Sequence, residues 1–112
     1  MNTTVVNVYH GGHTRRIGRP TKWGNPYALS ERSQAAEVAC LLAYARYLRD
    51  AKLIDQVGEL RGEVLGCYCA PRRCHGDILA RCADAEDARA ELHRVIEELE
   101  HEQAQLTDEG TP

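Results

Sequence analysis

Apolar residues fall in two periods along this chain, and their alternation sets the expected architecture. Val5, Val6, Val8 and Tyr9 form a β-branched run broken only by Asn7, which predicts a first strand ending at His10-Gly11-Gly12-His13. Ser30 or Ser33 can cap the helix that follows, with Glu37 in its first turn. Val38, Leu41, Leu42, Tyr44, Ala45 and Leu48 give that helix a broad apolar face as far as Ala51. Leu53, Ile54, Val57 and Leu60 predict a second, shorter helix. Val64, Leu65, Cys67 and Cys69 then make another run of strand length. Pro71 bars its continuation, and Ile78, Leu79 and Cys82 recur at helical spacing.

The order strand, helix, short helix, strand, helix predicts a small α/β domain of two or three layers, with a short parallel sheet in βααβα order. A right-handed helical crossover would join its strand pair. Two strands are too few for a stable sheet, so a third is expected from the Trp23–Leu29 region or from a partner chain. From residue 84 the composition changes. Ala85, Ala88, Leu92, Val95, Leu99 and Leu106 leave one narrow apolar stripe on an otherwise acidic helix, predicting a unit at 1–83 and an acidic amphipathic helix with a frayed end at 84–112. The heptad-like spacing of the stripe suits a coiled coil. Residues 85–106 are expected to dock on their own domain, to cover the basic loops, or to contact a second copy or a host protein.

Charge sharpens this division. Residues 1–83 carry twelve Lys/Arg against seven Asp/Glu, a net of +5, whereas 84–112 carry two arginines and ten acids, a net of −8. The body therefore favours an anionic ligand, and the tail has a separate role. No stretch approaches the roughly 18 apolar residues of a membrane span, so no membrane partner is expected. The first residues lack the basic and apolar regions of a secretory signal, and five cysteines, an odd number, argue against a closed disulfide framework. The expectation is a cytoplasmic protein.

Two loops concentrate the candidate chemistry. Thr14 to Tyr27 packs Arg15, Arg16, Arg19 and Lys22 among two prolines, two glycines and the lone Trp23, a punctuation that leaves no helical or strand period. Its cations suit phosphates and Trp23 or Tyr27 could stack on a base, or the loop could be a basic surface pinned by a buried tryptophan. Gly24-Asn25-Pro26 reads as a turn with Asn25 extended. The second loop holds Cys67, Cys69, Arg72, Arg73, Cys74, His75, Gly76 and Asp77 at a helix N-terminus, where cations and free backbone N–H groups suit an anion. In a parallel pair both loops lie at the C-terminal edge of the strands, where α/β sheets bind ligands. His10 and Gly11 would join the binding groups there.

Three readings of the cysteine–histidine loop stand side by side. Thiolates and imidazole are zinc ligands, so Cys67, Cys69, Cys74 and His75 could hold that metal, although their spacing is not the usual one. Cys74 beside two arginines and a helix N-terminus could instead be a lowered-pKa nucleophile, with His75 or Asp77 as acid or base. In the third reading, which is favoured, the cysteines pack and the arginines with the backbone bind an anion; no cofactor is then required. Cys40, inside the first helix, reads as a small core residue.

The stretches Ile17-Gly-Arg-Pro-Thr-Lys-Trp-Gly-Asn-Pro-Tyr27 and Leu60-Arg-Gly-Glu-Val-Leu-Gly-Cys-Tyr-Cys-Ala-Pro-Arg-Arg-Cys-His-Gly-Asp-Ile-Leu79 resemble the domain of unknown function 4326 family, over about residues 5–83. The resemblance implies a small accessory protein of the kind encoded by phages and actinobacteria, and supplies no mechanism. The function expected is binding of a nucleotide-like or phosphate-bearing ligand, with or without transferase or hydrolase chemistry at Cys74, His75 and Asp77. The alternatives are a non-catalytic module for nucleotides or nucleic acid, and a zinc-bearing adaptor acting through its acidic helix.

Overall fold

The computed structural model describes residues 2–27, 33–68 and 72–109. Its sheet has three parallel strands, β1 (Thr4–Asn7), β2 (Arg15–Arg16) and β3 (Val64–Cys67), in the spatial order β1-β3-β2. Val5 and Arg15 both lie opposite Leu65, and Val6 and Arg16 both lie opposite Gly66. The parallel pair expected from the two apolar runs is therefore β1 with β3. The third strand, however, comes from within the basic loop. Arg15–Arg16 is too short and too polar to show a period, yet Thr14 N–H donates to the Val64 carbonyl and Ile17 N–H to that of Gly66. Ile17, just beyond it, is fully buried.

The first strand is also shorter than its apolar run. Asn7 accepts the Tyr9 N–H through its side chain and turns Val8–His10 into a single 3-10 turn. Gly11 and Gly12 follow at φ of +73° and +83°, so the chain bends back over the sheet rather than leaving it. Residues 8–14 then cross the face of β3 to reach its far edge. Parallel strands usually need a crossover of a dozen or more residues, and this one is shorter because it lies directly on the strand it crosses. Gly66 makes that possible. A Cβ there would stand 2.8 Å from the His13 Cγ and 2.9 Å from the Val8 Cγ1.

Helices cover the other face. α1 (Gln34–Asp50) starts at Ser33, whose side chain accepts the Ala36 N–H, and Val38, Leu41, Leu42, Tyr44, Ala45 and Leu48 are buried along it as their spacing predicts. Leu53–Leu60 forms a 3-10 helix that buries Ile54, Val57 and Leu60. α2 (His75–Asp84) packs against β1 and β3, its first turn so close that a Cβ on Gly76 would meet Ile17 and Val5. α3 (Ala88–Glu109) lies along α1, α2 and the 3-10 helix, with Leu92, Val95, Ile96 and Leu99 buried. Its apolar stripe is thus filled by this chain's own core. None of the described helices is long and apolar enough to cross a membrane.

The close packing of the crossover on Gly66 has a direct consequence for stability. Gly66→Ala should cost about 1–3 kcal/mol, the usual range for overpacking a fitted interior. Gly58→Ala, where a Cβ meets nothing within 4 Å, should be close to neutral in the same urea titration. Equal midpoints for the two variants would contradict the packing described.

Candidate functional site

The C-terminal ends of the three strands meet at one edge, and the two loops singled out by composition meet there too. His75 fixes their relation: its Nε2 lies 2.9 Å from the Ile17 carbonyl oxygen, joining the start of α2 to the end of β2. The His75 ring also stands edge-on to Tyr44, with centroids 5.0 Å apart. Burial holds the His75 imidazole below its ordinary pKa, against the opposing pull of the Ile17 contact and Asp77.

Cys74 is the N-cap of α2. Its Sγ accepts the Gly76 N–H at 3.3 Å, and the Asp77 carboxylate returns a bond from the Cys74 N–H at 3.0 Å, completing a capping box with sulfur in the usual place of a hydroxyl. The Cys74 Sγ lies 3.2 Å from that of Cys67. Burial pushes the Cys74 thiol well up from its ordinary value, and the Cys67 contact adds to this against the Gly76 N–H. The sequence reading of a lowered thiol pKa is corrected here. Arg73, one of its expected activators, is turned away to a two-bond pair with Glu102 of α3 at 2.7 and 2.8 Å. Cys74, His75 and Asp77 come together as expected, occupied in capping and packing the helix.

The basic loop divides into a bound half and an open half. Glu59 on the 3-10 helix gathers the bound half: its Oε1 lies 3.0 Å from Arg15, 2.8 Å from Lys22 and 3.0 Å from the Trp23 indole N–H. The Lys22 and Trp23 bonds, Lys22 first, hold the Glu59 carboxyl below the usual range although desolvation opposes them. Trp23 is 1% exposed, and Tyr44 donates its hydroxyl proton to the Trp23 carbonyl. Its faces are closed to a base, so the stacking reading fails for Trp23 and the buried-pin reading holds. Asn25 is a turn former, accepting the Tyr27 N–H and donating to Cys40 Sγ, which leaves Cys40 half-buried in α1.

The open half is where the charge is unspent. Arg46, Arg49, Arg73, Arg81, Arg89 and Arg94 all pair with carboxylates, and Arg61 donates to the carbonyls of Ala83 and Ala85. Among the described residues no ion pair engages Arg16, Arg19 or Arg72, and all three belong to the two loops at the sheet edge. Beside them stand two tyrosines that composition did not flag. Tyr9 is 81% and Tyr68 53% exposed, their ring centroids are 5.6 Å apart, and a Cβ on Gly18 would lie 3.2 Å from the Tyr68 ring. Tyr68 could have been found from its place between Cys67 and Cys69, since alternation turns it away from the core. Nothing in the sequence pointed to Glu59.

His10 and Gly11 lie exposed at the crossover's first bend, and the His13 ring covers Gly66 with its Nδ1 buried and unpartnered among the described residues. Of the four residues considered for zinc, Cys69 falls outside the described residues. No group of three His, Cys, Asp or Glu among those described is arranged to hold a metal.

The comparisons with known proteins agree with the motifs that form this edge. The model of a family described as a domain of unknown function (DUF4326) matches residues 6–85. The chain belongs to that family. A protein of Enterobacteria phage T4, described as an uncharacterized 12.4 kDa protein in the nrdA-td intergenic region, is 35% identical over 78 residues, covering 68% of this chain and 72% of the T4 protein. No solved structure matches. The family match begins within β1, takes in β2, β3, the candidate edge and α2, and stops before α3.

The buried His75 gives this site a pH signature. Its folded pKa lies below the ordinary 6.5, so the unfolded chain takes up the proton first as pH falls. Stability is full above about pH 6.5 and should decline from there toward pH 5, before the carboxylates titrate. Unfolding midpoints measured across that interval should fall in the natural protein and stay flatter in His75→Gln.

Proposed function

We propose that this protein binds a nucleotide-like, phosphate-bearing ligand at the C-terminal edge of its sheet, with Tyr9 and Tyr68 against the base and Arg16, Arg19 and Arg72 on the phosphates. The observation that carries the reading is the selective lack of partners. Every other described arginine bonds a carboxylate or a carbonyl, while these three have no such partner among the described residues and belong to the loops at the edge that carries two exposed rings. Guanidinium groups grip phosphate oxygens in paired hydrogen bonds, and a tyrosine face stacks on any base. The N–H groups at the start of α2 add partial positive charge on the same side.

Within this reading a non-catalytic role is favoured over transferase or hydrolase chemistry. Cys74 is a buried, protonated cap, His75 is tied to the Ile17 carbonyl, and the Asp77 carboxylate accepts the Cys74 N–H. One basic atom of each is thus engaged within the helix start, and the thiol that would serve as nucleophile is buried. An accessory protein that holds or sequesters its ligand, in a family that includes a phage T4 member, fits this arrangement.

Thermal-shift screening against nucleoside mono- and triphosphates and a short oligothymidylate supplies the probe. With that probe, Tyr68→Ala and Tyr9→Ala should each weaken binding about 5- to 150-fold, the equivalent of about 1–3 kcal/mol for a stacked base. Arg16→Ala should weaken it and lower its salt dependence. Cys74→Ser keeps a good N-cap and should leave affinity unchanged. Full affinity in both tyrosine variants and in Arg16→Ala sinks the proposal. Turnover of any nucleotide that vanishes in Cys74→Ser would make the protein an enzyme.

A further inference from the structure

Two cysteines from opposite ends of the second loop touch beneath its surface. Cys67 ends β3 and Cys74 caps α2, at 0% and 3% exposure, and their Sγ atoms are 3.2 Å apart. Two thiolates bridged by tetrahedral zinc stand about 3.8 Å apart, given zinc–sulfur bonds of about 2.3 Å, so this pair is closer than a metal would hold it. A disulfide needs about 2.05 Å, a further approach of about 1 Å. The remaining described cysteines are placed elsewhere: Cys40 bonds Asn25 from α1, and Cys82 is two turns further along α2.

We propose that Cys67 and Cys74 form a reversible dithiol–disulfide pair whose oxidant is a small-molecule disulfide. Cys74, the more exposed of the two, gives its proton to solvent, and the thiolate attacks one sulfur of the small disulfide. That S–S bond breaks, and the departing thiolate takes up a proton as the first small thiol. Cys67, deprotonated in turn, attacks the Cys74 sulfur of the mixed disulfide and releases the second small thiol. Two protein thiols are oxidised to one disulfide, and one small disulfide is reduced to two thiols. The Gly76 N–H that points at the Cys74 Sγ favours the thiolate, while burial opposes it, so the exchange is slow near neutrality and quickens as pH rises. The bond would tie β3 directly to the first turn of α2 and close the loop that carries Tyr68 and Arg72.

Peptide mapping of the full chain decides this. The protein is held with oxidised glutathione at pH 8, its remaining thiols are alkylated, and it is digested with trypsin without reduction. The expected product joins the peptide that begins at Gly62 to the one that begins at Cys74, and dithiothreitol separates them. The first peptide also holds Cys69, so Cys69→Ser must keep the link, and Cys67→Ser must lose it. Failure of the link to form in the natural protein, or its loss in Cys69→Ser, overturns the proposal without relying on how well Cys67→Ser folds. Persistence of the link in a Cys67→Ser protein that retains its circular dichroism overturns it equally.

Discussion

The molecule depends on the close approach of residues 8–14 to the middle strand at Gly66. Hydrogen bonding on both edges of β3 requires the chain to pass from one side of that strand to the other, and it does so across the strand's own face. His13 and Val8 then occupy the space that any larger residue at 66 would need. The crossover serves as the sheet's outer layer, so helices are required on one face only. It also delivers Arg16 to the strand C-terminal edge beside Tyr68, with Tyr9 and His10 at the crossover's first bend.

On the helical face, the equivalent close approach is that of α2 to Ile17 and Val5, clamped by His75 on the Ile17 carbonyl and by the Cys74–Asp77 capping box. These contacts turn the conspicuous cysteine–histidine sequence into a structural joint. Electrostatics complete the division of labour. Glu59 takes Arg15, Lys22 and the Trp23 N–H, and the glutamates of α3 take Arg46, Arg73 and Arg81. What the acids leave is a small cationic edge on a chain whose net charge is −3.

The strand runs, a first helix starting at Ser30 or Ser33 (the cap is Ser33, and Ser30 lies outside the described residues), a second starting near Cys74, and the meeting of the two loops could all be read from the chain, because each rests on local periodicity or capping chemistry. The third strand could not, since a two-residue strand of arginines has no period and is defined only by the carbonyls of Val64 and Gly66. The length of β1 was misjudged because the Asn7 side chain, which stops it, sits inside an otherwise continuous β-branched run. Trp23 looked equally suited to a ligand or a core, and its burial is decided by Glu59 and Tyr44, thirty-six and twenty-one residues away. For α3, Leu92, Val95 and Leu99 were recognised as one stripe, but spacing alone does not distinguish an intrachain partner from a second copy. Ile96 completes the contact with the body.

A concavity of about 430 Å³ lies where β3 begins rather than where it ends, lined by Ile54, Val57, Arg61, Cys82 and Arg89 among others. It offers the clearest contrast with the proposed edge. Titration of the 15N-labelled protein with a nucleotide or short oligothymidylate, followed by amide chemical shifts, compares the two directly. The account predicts shifts centred on Tyr9, Arg16 to Arg19, Tyr68 and Arg72 to Gly76. Shifts centred on Ile54, Arg61 and Arg89, or no shifts with any phosphate-bearing probe, would contradict it.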